Sequence, residues 1–482
     1  MNWKVITWYI GVSLLLVAAL MAVSGIVACC TIGDESRTPL LFSAFLTATV
    51  GFYPLIFVRK GHHRLSFKEG NSIVVGAWLL SCQFGMLPFL FYGREFTPIN
   101  ALFESVSGFT TTGASILNDI EALPRGLQMW RISTAWVGGI GIVTLFSMLT
   151  GRAAKSTLSG AEISNVARDS FGGEKNGKFA NKMLVTYIAL TLVTLFSLKL
   201  AGMGWFDAAT NAMSACSTCG FCPRNTSIAF YANPSAEIIL TVAMLAAGVH
   251  FGILFLAFLR GRPRYIWKSE TIKVFLSLVA LAIAIVTTDL MVRGNYASFA
   301  QALRDASFQV ASIATTTGFA TQDTTLWPPL SMSVLIICSL ICGCSGSTSG
   351  GIKVDRAILA AKGIYRKVKL TVEPNGVYFV RVDGKARTEE QVTDAYGYIF
   401  CYLILMVVFA AVNIVFGQDF ITGVTASIAC IGNVGPGFGD VGSMSNYADF
   451  PAILKFTGMV EMLIGRLEIF PILYLLRSVR NN

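Results

Sequence analysis

The sequence predicts an all-α polytopic membrane protein, and three observations lead there. Of 482 residues, 54% are apolar and only 13% are charged, whereas a soluble globular chain carries about 25% charged residues. Apolar runs recur along the whole chain, at residues 5–26, 40–58, 73–92, 130–149, 183–200 and onward to Leu476. Each approaches the roughly 20 residues that a helix needs to cross a hydrocarbon core of about 30 Å. Third, Lys and Arg gather in alternate loops, as the positive-inside rule requires of a multi-pass protein.

The charge pattern orients the spans. One set of alternate loops holds Arg59, Lys60, Arg64 and Lys68, six basic residues from Arg152 to Lys182, five from Arg260 to Lys273 and nine from Lys353 to Arg387. With Lys4, Arg477 and Arg480 this side carries 27 of the 37 basic residues and eleven acids, a formal charge of +16. The other loops carry −5, and Glu461, Arg466 and Glu468 in the last apolar segment carry −1, which returns the net charge of +10. Both termini are therefore expected in the cytoplasm, and the other face is expected to concentrate cations modestly. The pI of about 9.1 reflects this loop bias and gives no reason to expect nucleic acid. The first apolar run is longer than the core of a signal peptide and a second follows closely, so both read as retained spans. Most of the eleven Cys lie inside apolar segments, where a thiol acts as a small hydrophobe rather than half of a disulfide.

A repeat makes the reading specific. Between the basic loops the chain follows one plan four times: an apolar span, a shorter mixed segment ending in Thr, Ser and Gly, and a returning span. The short segments align without gaps on one glycine, as FESVSGFTTTGAS, TNAMSACSTCGFC, FQVASIATTTGFA and TASIACIGNVGPG. The glycines are Gly113, Gly220, Gly318 and Gly435, spaced by 107, 98 and 117 residues. Two positions earlier stand Thr111, Thr218, Thr316 and Asn433, and six earlier stand Ser107, Ser214, Ser312 and Ala429. A segment of about a dozen residues, such as 100–111, is too short to span as a helix. It suits a re-entrant half-helix whose irregular end lines a watery cavity. Small residues also serve close helix packing, but four segments in register exceed what packing explains.

Four half-helices about one axis would aim their partly negative C-terminal ends at one point. The chain must then turn and present carbonyl oxygens inward, which glycine permits through positive φ and close approach. Rings of backbone carbonyls replace the hydration shell of a cation, and no titratable side chain is needed. The candidate filter residues are Thr111, Thr112 and Gly113, Thr218, Cys219 and Gly220, Thr316, Thr317 and Gly318, and Asn433, Val434 and Gly435.

On these residues the chain resembles the TrkH/TrkG/KtrB superfamily of K⁺ transporters. Its two extra N-terminal spans, the run GCSGSTSGG at 343–351 and the ending GRLEIFPILYLL at 465–476 resemble the TrkH/TrkG branch over essentially the whole length. The resemblance implies four outgoing span–pore helix–returning span units around a central pore. It also implies potassium uptake across the bacterial inner membrane, K⁺ as substrate without an organic cofactor, a homodimer among membrane lipids, and a cytosolic nucleotide-binding regulatory subunit of the TrkA kind. The expected organisation is 1–69 for the two N-terminal spans, 70–155 for unit 1 and 156–264 for unit 2 with its preceding loop. Unit 3 with a gate loop follows at 265–368, and a hairpin loop with unit 4 at 369–482. The fourth unit departs from the plan: Asn433-Val-Gly435 replaces the Thr-x-Gly of the other three, and Pro436 stands where they have Ala or Phe, so an asymmetric filter is expected.

The run containing Gly343, Gly346, Gly350 and Gly351 interrupts the third returning span. It lacks the Lys-Ser/Thr ending of a phosphate loop, and such breaks mark substrate paths in transporters. The superfamily uses the matching loop as a gate. Arg466 in the last span costs about 2.5–3.5 kcal/mol on insertion scales and must face protein or water. Its offsets from Glu461 and Glu468 are poor for an intrahelical ion pair, and the resemblance places a basic residue in the pore beneath the filter.

Other signals carry less. Cys216, Cys219 and Cys222 form C-x-x-C-x-x-C, but Cys219 aligns with Thr112 and Thr317, and no fourth ligand cluster accompanies it. His62 and His63 sit in a basic loop, and His250 stands alone in an apolar span, where packing is the simpler role. Residues 369–385 read as a hairpin turning at Pro374-Asn375-Gly376 and as a docking surface for a regulatory ring. No catalytic set emerges, so the chain is not expected to be an enzyme. The rivals are a secondary transporter of a small organic substrate with broken helices and a membrane thiol redox enzyme using the cysteine run.

Overall fold

The computed structural model describes residues 3–58, 67–152 and 176–472. His62, His63, the basic residues Arg59, Lys60 and Arg64, residues 153–175 and the chain beyond 472 lie outside the described residues.

Six described helices are long and apolar enough to cross a membrane. Two are the N-terminal pair, Trp3–Cys30 and Arg37–Phe57. They pack closely because Gly11 meets Gly51, whose carbonyl oxygen would lie 2.7 Å from a Cβ added at Gly11. The other four are the outgoing helices of the repeat: Phe67–Gly85 continued by Leu87–Tyr92, then Asn176–Leu200, Glu270–Val292 and Glu389–Val415. The last starts on a capping box, in which Thr388 and Gln391 exchange side-chain and backbone hydrogen bonds.

The short segments are helices at Pro98–Phe109, Trp205–Ser217, Phe299–Ala314 and Phe420–Ile431. At 1.5 Å per residue a 12-residue helix reaches about 18 Å and ends inside the molecule. Thr97 caps the first above Pro98, and Asp419 caps the fourth through the Ile421 and Thr422 amides.

The returning helices differ from one another. The first, Arg125–Arg152, is continuous. The second breaks between Pro234–Ala247 and Phe251–Leu259 with a bend of 111°. The third stops at Leu340 and resumes at Val354, and the fourth is Ala452–Arg466. The second break was not expected from the sequence, where residue 250 sits in an unbroken apolar run. Its cause is local: Gly248 ends one helix, and His250 Nδ1 accepts from the Gly252 amide at 3.0 Å to start the next. Each returning helix packs against the short helix of the following unit, and the fourth packs against Pro98–Phe109 of the first. The four units therefore close into a ring.

The hairpin differs from expectation in its register. Helix Val354–Val372 continues through Lys369, and the strands are Arg381–Val382 and Lys385–Ala386. The turn is Asp383-Gly384, both with positive φ (51° and 77°), as a type I′ turn demands. Pro374-Asn375-Gly376 instead follows the helix end. Asp383 also caps the third outgoing helix, accepting from the Glu270 amide at 2.6 Å. Burial there pushes its carboxyl above the usual carboxylate range.

The N-terminal pair is joined to the ring through Asp34. Its carboxylate accepts from the Ser36 amide and from the Gly126 amide at 2.8 and 2.9 Å, the latter at the start of the first returning helix. Asp34→Ala leaves a buried amide without its acceptor and is expected to cost about 2 kcal/mol. Thermal unfolding in detergent should show a lower midpoint, and Asp34→Asn should lose less.

Candidate functional site: a ring of four glycines

Each short helix ends in the same turn. The amide of the residue before the glycine bonds back to the carbonyl six positions before that glycine: Thr112 to Ser107, Cys219 to Ser214, Thr317 to Ser312 and Val434 to Ala429, at 2.8–3.1 Å. This is the 6→1 bond of a helix-ending turn, whose left-handed residue is usually glycine. Here that residue is Thr111, Thr218, Thr316 or Asn433, with φ of 52–57°. A β-branched residue in this region is strained, and three of the four sites hold one. Strain repeated at equivalent positions is typical of functional segments that surrounding structure holds in place. The bond uses the backbone carbonyl at position −6, so Ala429 serves there as well as the three serines.

The glycines come next, each with φ of 80–93°. A Cβ on Gly113 would overlap the Cys219 carbonyl oxygen, on Gly220 that of Thr317, on Gly318 that of Val434, and on Gly435 that of Thr112. Every glycine therefore abuts the carbonyl before the glycine of the next unit, and the fourth returns to the first. The twelve residues singled out from the sequence are brought together in four equivalent turns, whose glycines and the carbonyls of Thr112, Cys219, Thr317 and Val434 form one closed cycle of contacts, and none contributes a titratable carboxylate or amine.

The support behind the ring is unequal. Thr110 pairs with Thr112, and Thr315 with Thr317, each at 2.8 Å. Asn433 Nδ2 donates to Thr112 Oγ1 and to the Met462 carbonyl, both at 3.0 Å, so the fourth unit is fastened to the first where a threonine would not reach. Nine positions before their glycines, Asn211 and Gln309 make neutral bonds to Tyr231 and the Gln322 carbonyl. Glu104 at that position in unit 1 is fully buried and forms an ion pair with Arg131. Glu104 also accepts from Ser115 and the Ile116 amide, while Arg131 lies 3.5 Å from the Phe221 ring centre and reaches the Cys222 carbonyl. The pair thus ties the strands that follow Gly113 and Gly220. Sequence reading missed it, although an acid inside a short apolar half-helix and an Arg in the next span were available signals.

On one side the glycines open into a cavity lined by Asn118, Asn225, Ser443, Asn446 and two arginines, Arg131 and Arg224. No acid lines it among the described residues. The nearby acids, Asp119, Glu121 and Asp207, are engaged by Asn225 and Arg224.

On the other side lies the segment 343–351, buried along almost its whole length. A two-residue parallel bridge, Ile341–Cys342 with Ile352–Lys353, closes its neck. The Gly350 amide donates to Thr316 Oγ1 at 2.9 Å and Thr348 Oγ1 to the Cys216 carbonyl at 3.1 Å. A Cβ on Gly350 would strike the Gly432 carbonyl, and one on Gly346 would strike the His250 ring. Gly343 packs against the Gly248 carbonyl at the second break, and Gly351 against Cys342. Arg466 completes the arrangement: it donates to the Thr348 carbonyl at 2.7 Å and to the Gly138 carbonyl at 3.3 Å. Glu461 instead meets Ser427, and Glu468 meets Arg356, so neither acid pairs with Arg466. The loop and Arg466 together touch the ends of short helices 2, 3 and 4 and the returning helix of unit 1.

The three cysteines of the C-x-x-C-x-x-C run do different things. Cys216 lies beside Thr194, Cys219 belongs to the ring, and Cys222 offers its carbonyl to Arg131. All are buried and unbridged.

Because Arg131 and Glu104 are buried, Arg131→Met leaves a charge without its partner and is expected to cost about 3–5 kcal/mol. The double change Glu104→Gln with Arg131→Met should recover much of that loss in a thermal-shift cycle. Equal loss in both variants would separate the pair from ring support.

Residues 41–481 match the TrkH family model, described as a cation transport protein. The Trk system potassium uptake protein TrkH of Escherichia coli is 31% identical, with 98% of each chain covered, and TrkG of the same organism is 30% identical with 86% of each covered. The crystal structure of the potassium transporter TrkH from Vibrio parahaemolyticus superposes with a TM-score of 0.90 at 30% identity over 99% of both chains. A match across the chain in sequence and in fold has one meaning: this is a multi-pass membrane transporter, not an enzyme, and it belongs to the TrkH family of cation transport proteins.

Proposed function

We propose that the chain is a potassium uptake pore of the bacterial inner membrane, with both termini in the cytoplasm and K⁺ coordinated by the carbonyls of the four-glycine ring. The observation that carries this reading is the cyclic contact of each glycine with the next unit's carbonyl, from Gly113 through Gly435 and back to Thr112. A cation can shed its water there because fixed oxygens replace it. The potassium assignment draws further support from relatives that are potassium uptake proteins. Thr111, Thr112, Thr218, Cys219, Thr316, Thr317, Asn433 and Val434 supply the turn and its oxygens. In this reading the four units are 70–155, 156–264, 265–368 and 369–482, behind an N-terminal pair at 1–69. The unequal backing of units 1 and 4 favours a filter that holds its ion less tightly than a fourfold-symmetric one.

The segment with Gly343, Gly346, Gly350 and Gly351, pinned by Arg466, acts as the gate. Ser347 within it, and Lys353, Asp355 and Thr316 around it, satisfy backbone groups freed by the break, while Arg466 places a positive charge beside the cation path. Opening requires Arg466 to release the Thr348 carbonyl, a movement that a cytosolic nucleotide-binding subunit of the TrkA kind would drive from the hairpin face in a homodimer.

Rb⁺ and Na⁺ tracer uptake into liposomes holding the purified chain tests the reading. Rapid Rb⁺ entry that K⁺ competes, without an imposed proton gradient, is expected; uptake that requires such a gradient would favour a coupled transporter. Gly113→Ser should lower K⁺ over Na⁺ selection by about tenfold, about 1.4 kcal/mol of differential binding. Unchanged selection in folded protein would remove Gly113 from the filter. Deleting Ser347-Thr348-Ser349, or changing Arg466→Ala, should raise basal Rb⁺ uptake. Ordinary closed-state flux in both variants would return the loop to a packing role.

A further inference from the structure

We propose that Glu461 carries a proton inside the fourth unit, where the neutral acid clasps three helices together and makes transport sensitive to alkaline pH. Glu461 lies on the returning helix Ala452–Arg466 and is 1% exposed. Its Oε2 stands 2.7 Å from Ser427 Oγ on the short helix. The same hydroxyl stands 3.0 Å from the carbonyl oxygen of Met406 on the outgoing helix. A serine hydroxyl has one hydrogen, and a backbone carbonyl can only accept. The serine hydrogen has two acceptors in reach, the Glu461 carboxyl and the Met406 carbonyl, and can serve only one at a time. In the proposed state a hydrogen on Glu461 makes both contacts hydrogen bonds at once: Glu461 donates to Ser427, and Ser427 donates to Met406.

The surroundings favour the neutral form. Among the described residues no cation faces this carboxyl. On its own helix, Lys455 is held by Asn100 Oδ1 and the Ala448 carbonyl, and Arg466 by the loop and Gly138. Past the helix end, Glu468 pairs with Arg356. Glu104 on the adjoining short helix of unit 1 is matched by Arg131. The other titratable neighbours are Tyr402 on the outgoing helix, Cys430 on the short helix and Tyr447 after the ring. A carboxylate in such a place has only the Ser427 hydroxyl to set against its lost hydration. A neutral acid needs only a hydrogen-bond partner, which Ser427 provides.

The location gives the proton its consequence. Met462, the next residue, accepts from Asn433 of the ring, and a Cβ on Gly465 would strike the Ile431 carbonyl at the end of the short helix. Loss of the proton would draw the Ser427 hydrogen away from Met406, release the outgoing helix and leave a buried charge beside the fourth ring segment. The site lies behind the ring rather than along the conduction path, so the bound proton is a structural ligand of the fourth unit and no transported species.

Infrared difference spectroscopy on the full chain in liposomes tests the assignment. At neutral pH the wild type minus Glu461→Gln spectrum should show the C=O stretch of a protonated carboxylic acid, shifted in deuterium oxide. A carboxylate band in its place overturns the proposal. Rb⁺ uptake of the wild type should fall as pH is raised above neutral. Glu461→Gln, whose amide still donates to Ser427 but has no proton to lose there, should lose that fall, whereas Glu461→Ala should be impaired at every pH. A parallel alkaline fall in Glu461→Gln removes the link to transport. The uptake experiment rests on the potassium reading of the preceding subsection; the infrared experiment does not, so the two can fail separately.

Discussion

The constraint on which the structure depends is the approach of four glycine backbones to four carbonyl oxygens of neighbouring units. At Gly113, Gly220, Gly318 and Gly435 no Cβ can be accommodated. Each contact crosses from one unit to the next, so the ring exists only when all four units are assembled. The short helices must end at one depth, and the turns after them must all take the left-handed step that leaves Thr111, Thr218 and Thr316 strained. The packing of each returning helix on the following short helix supplies the rigidity that holds this strain. Similar close approaches recur one layer below, where Gly138 and Gly465 abut the Phe109 and Ile431 carbonyls.

Fourfold repetition does not mean fourfold equivalence. The first unit is backed by a buried ion pair, the third by neutral hydrogen bonds, and the fourth by Asn433, which reaches across to Thr112. The returning helices are continuous, bent, interrupted and short, in that order. These differences concentrate beneath the ring, where the interrupted third helix crosses to the broken second and is held by Arg466 from the fourth. A strictly fourfold-symmetric ring would have no place for one such segment, whereas four covalently joined, diverged units give it one.

Buried charge is distributed with the same economy. Glu104 and Arg131 neutralise each other and serve two strands at once. Arg466 spends its charge on backbone carbonyls rather than on either acid near it in sequence. Desolvation of an ion is offset only by a partner of good geometry or by loss of the charge, and the membrane interior makes both solutions visible. The cavity beside the ring shows the complementary rule: no acid lines it among the described residues, and the acids near it are bound by Asn225 and Arg224.

The sequence by itself determined the class of the protein, the fourfold unit and the residues of the ring. Span length, alternate basic loops and a glycine register are local or periodic properties, and they survive without knowledge of contacts. It also marked the segment 343–351, because four glycines inside an apolar run have no helical reading. Tertiary structure decided what depends on which groups meet. The Glu104–Arg131 pair joins residues 27 apart on different helices, and no spacing rule identifies it. Arg466 lay near two acids in sequence and turned to the Thr348 carbonyl 118 residues away. The bend at Gly248–His250 was masked by apolar neighbours and became visible only where segment 343–351 packs into it. The sequence reading placed the hairpin turn at Pro374-Asn375-Gly376, whereas the preceding helix runs on to Val372 and the turn falls at Asp383-Gly384. In each instance the missing information was a long-range contact: a buried polar group must find a partner somewhere, and only the assembled chain says where.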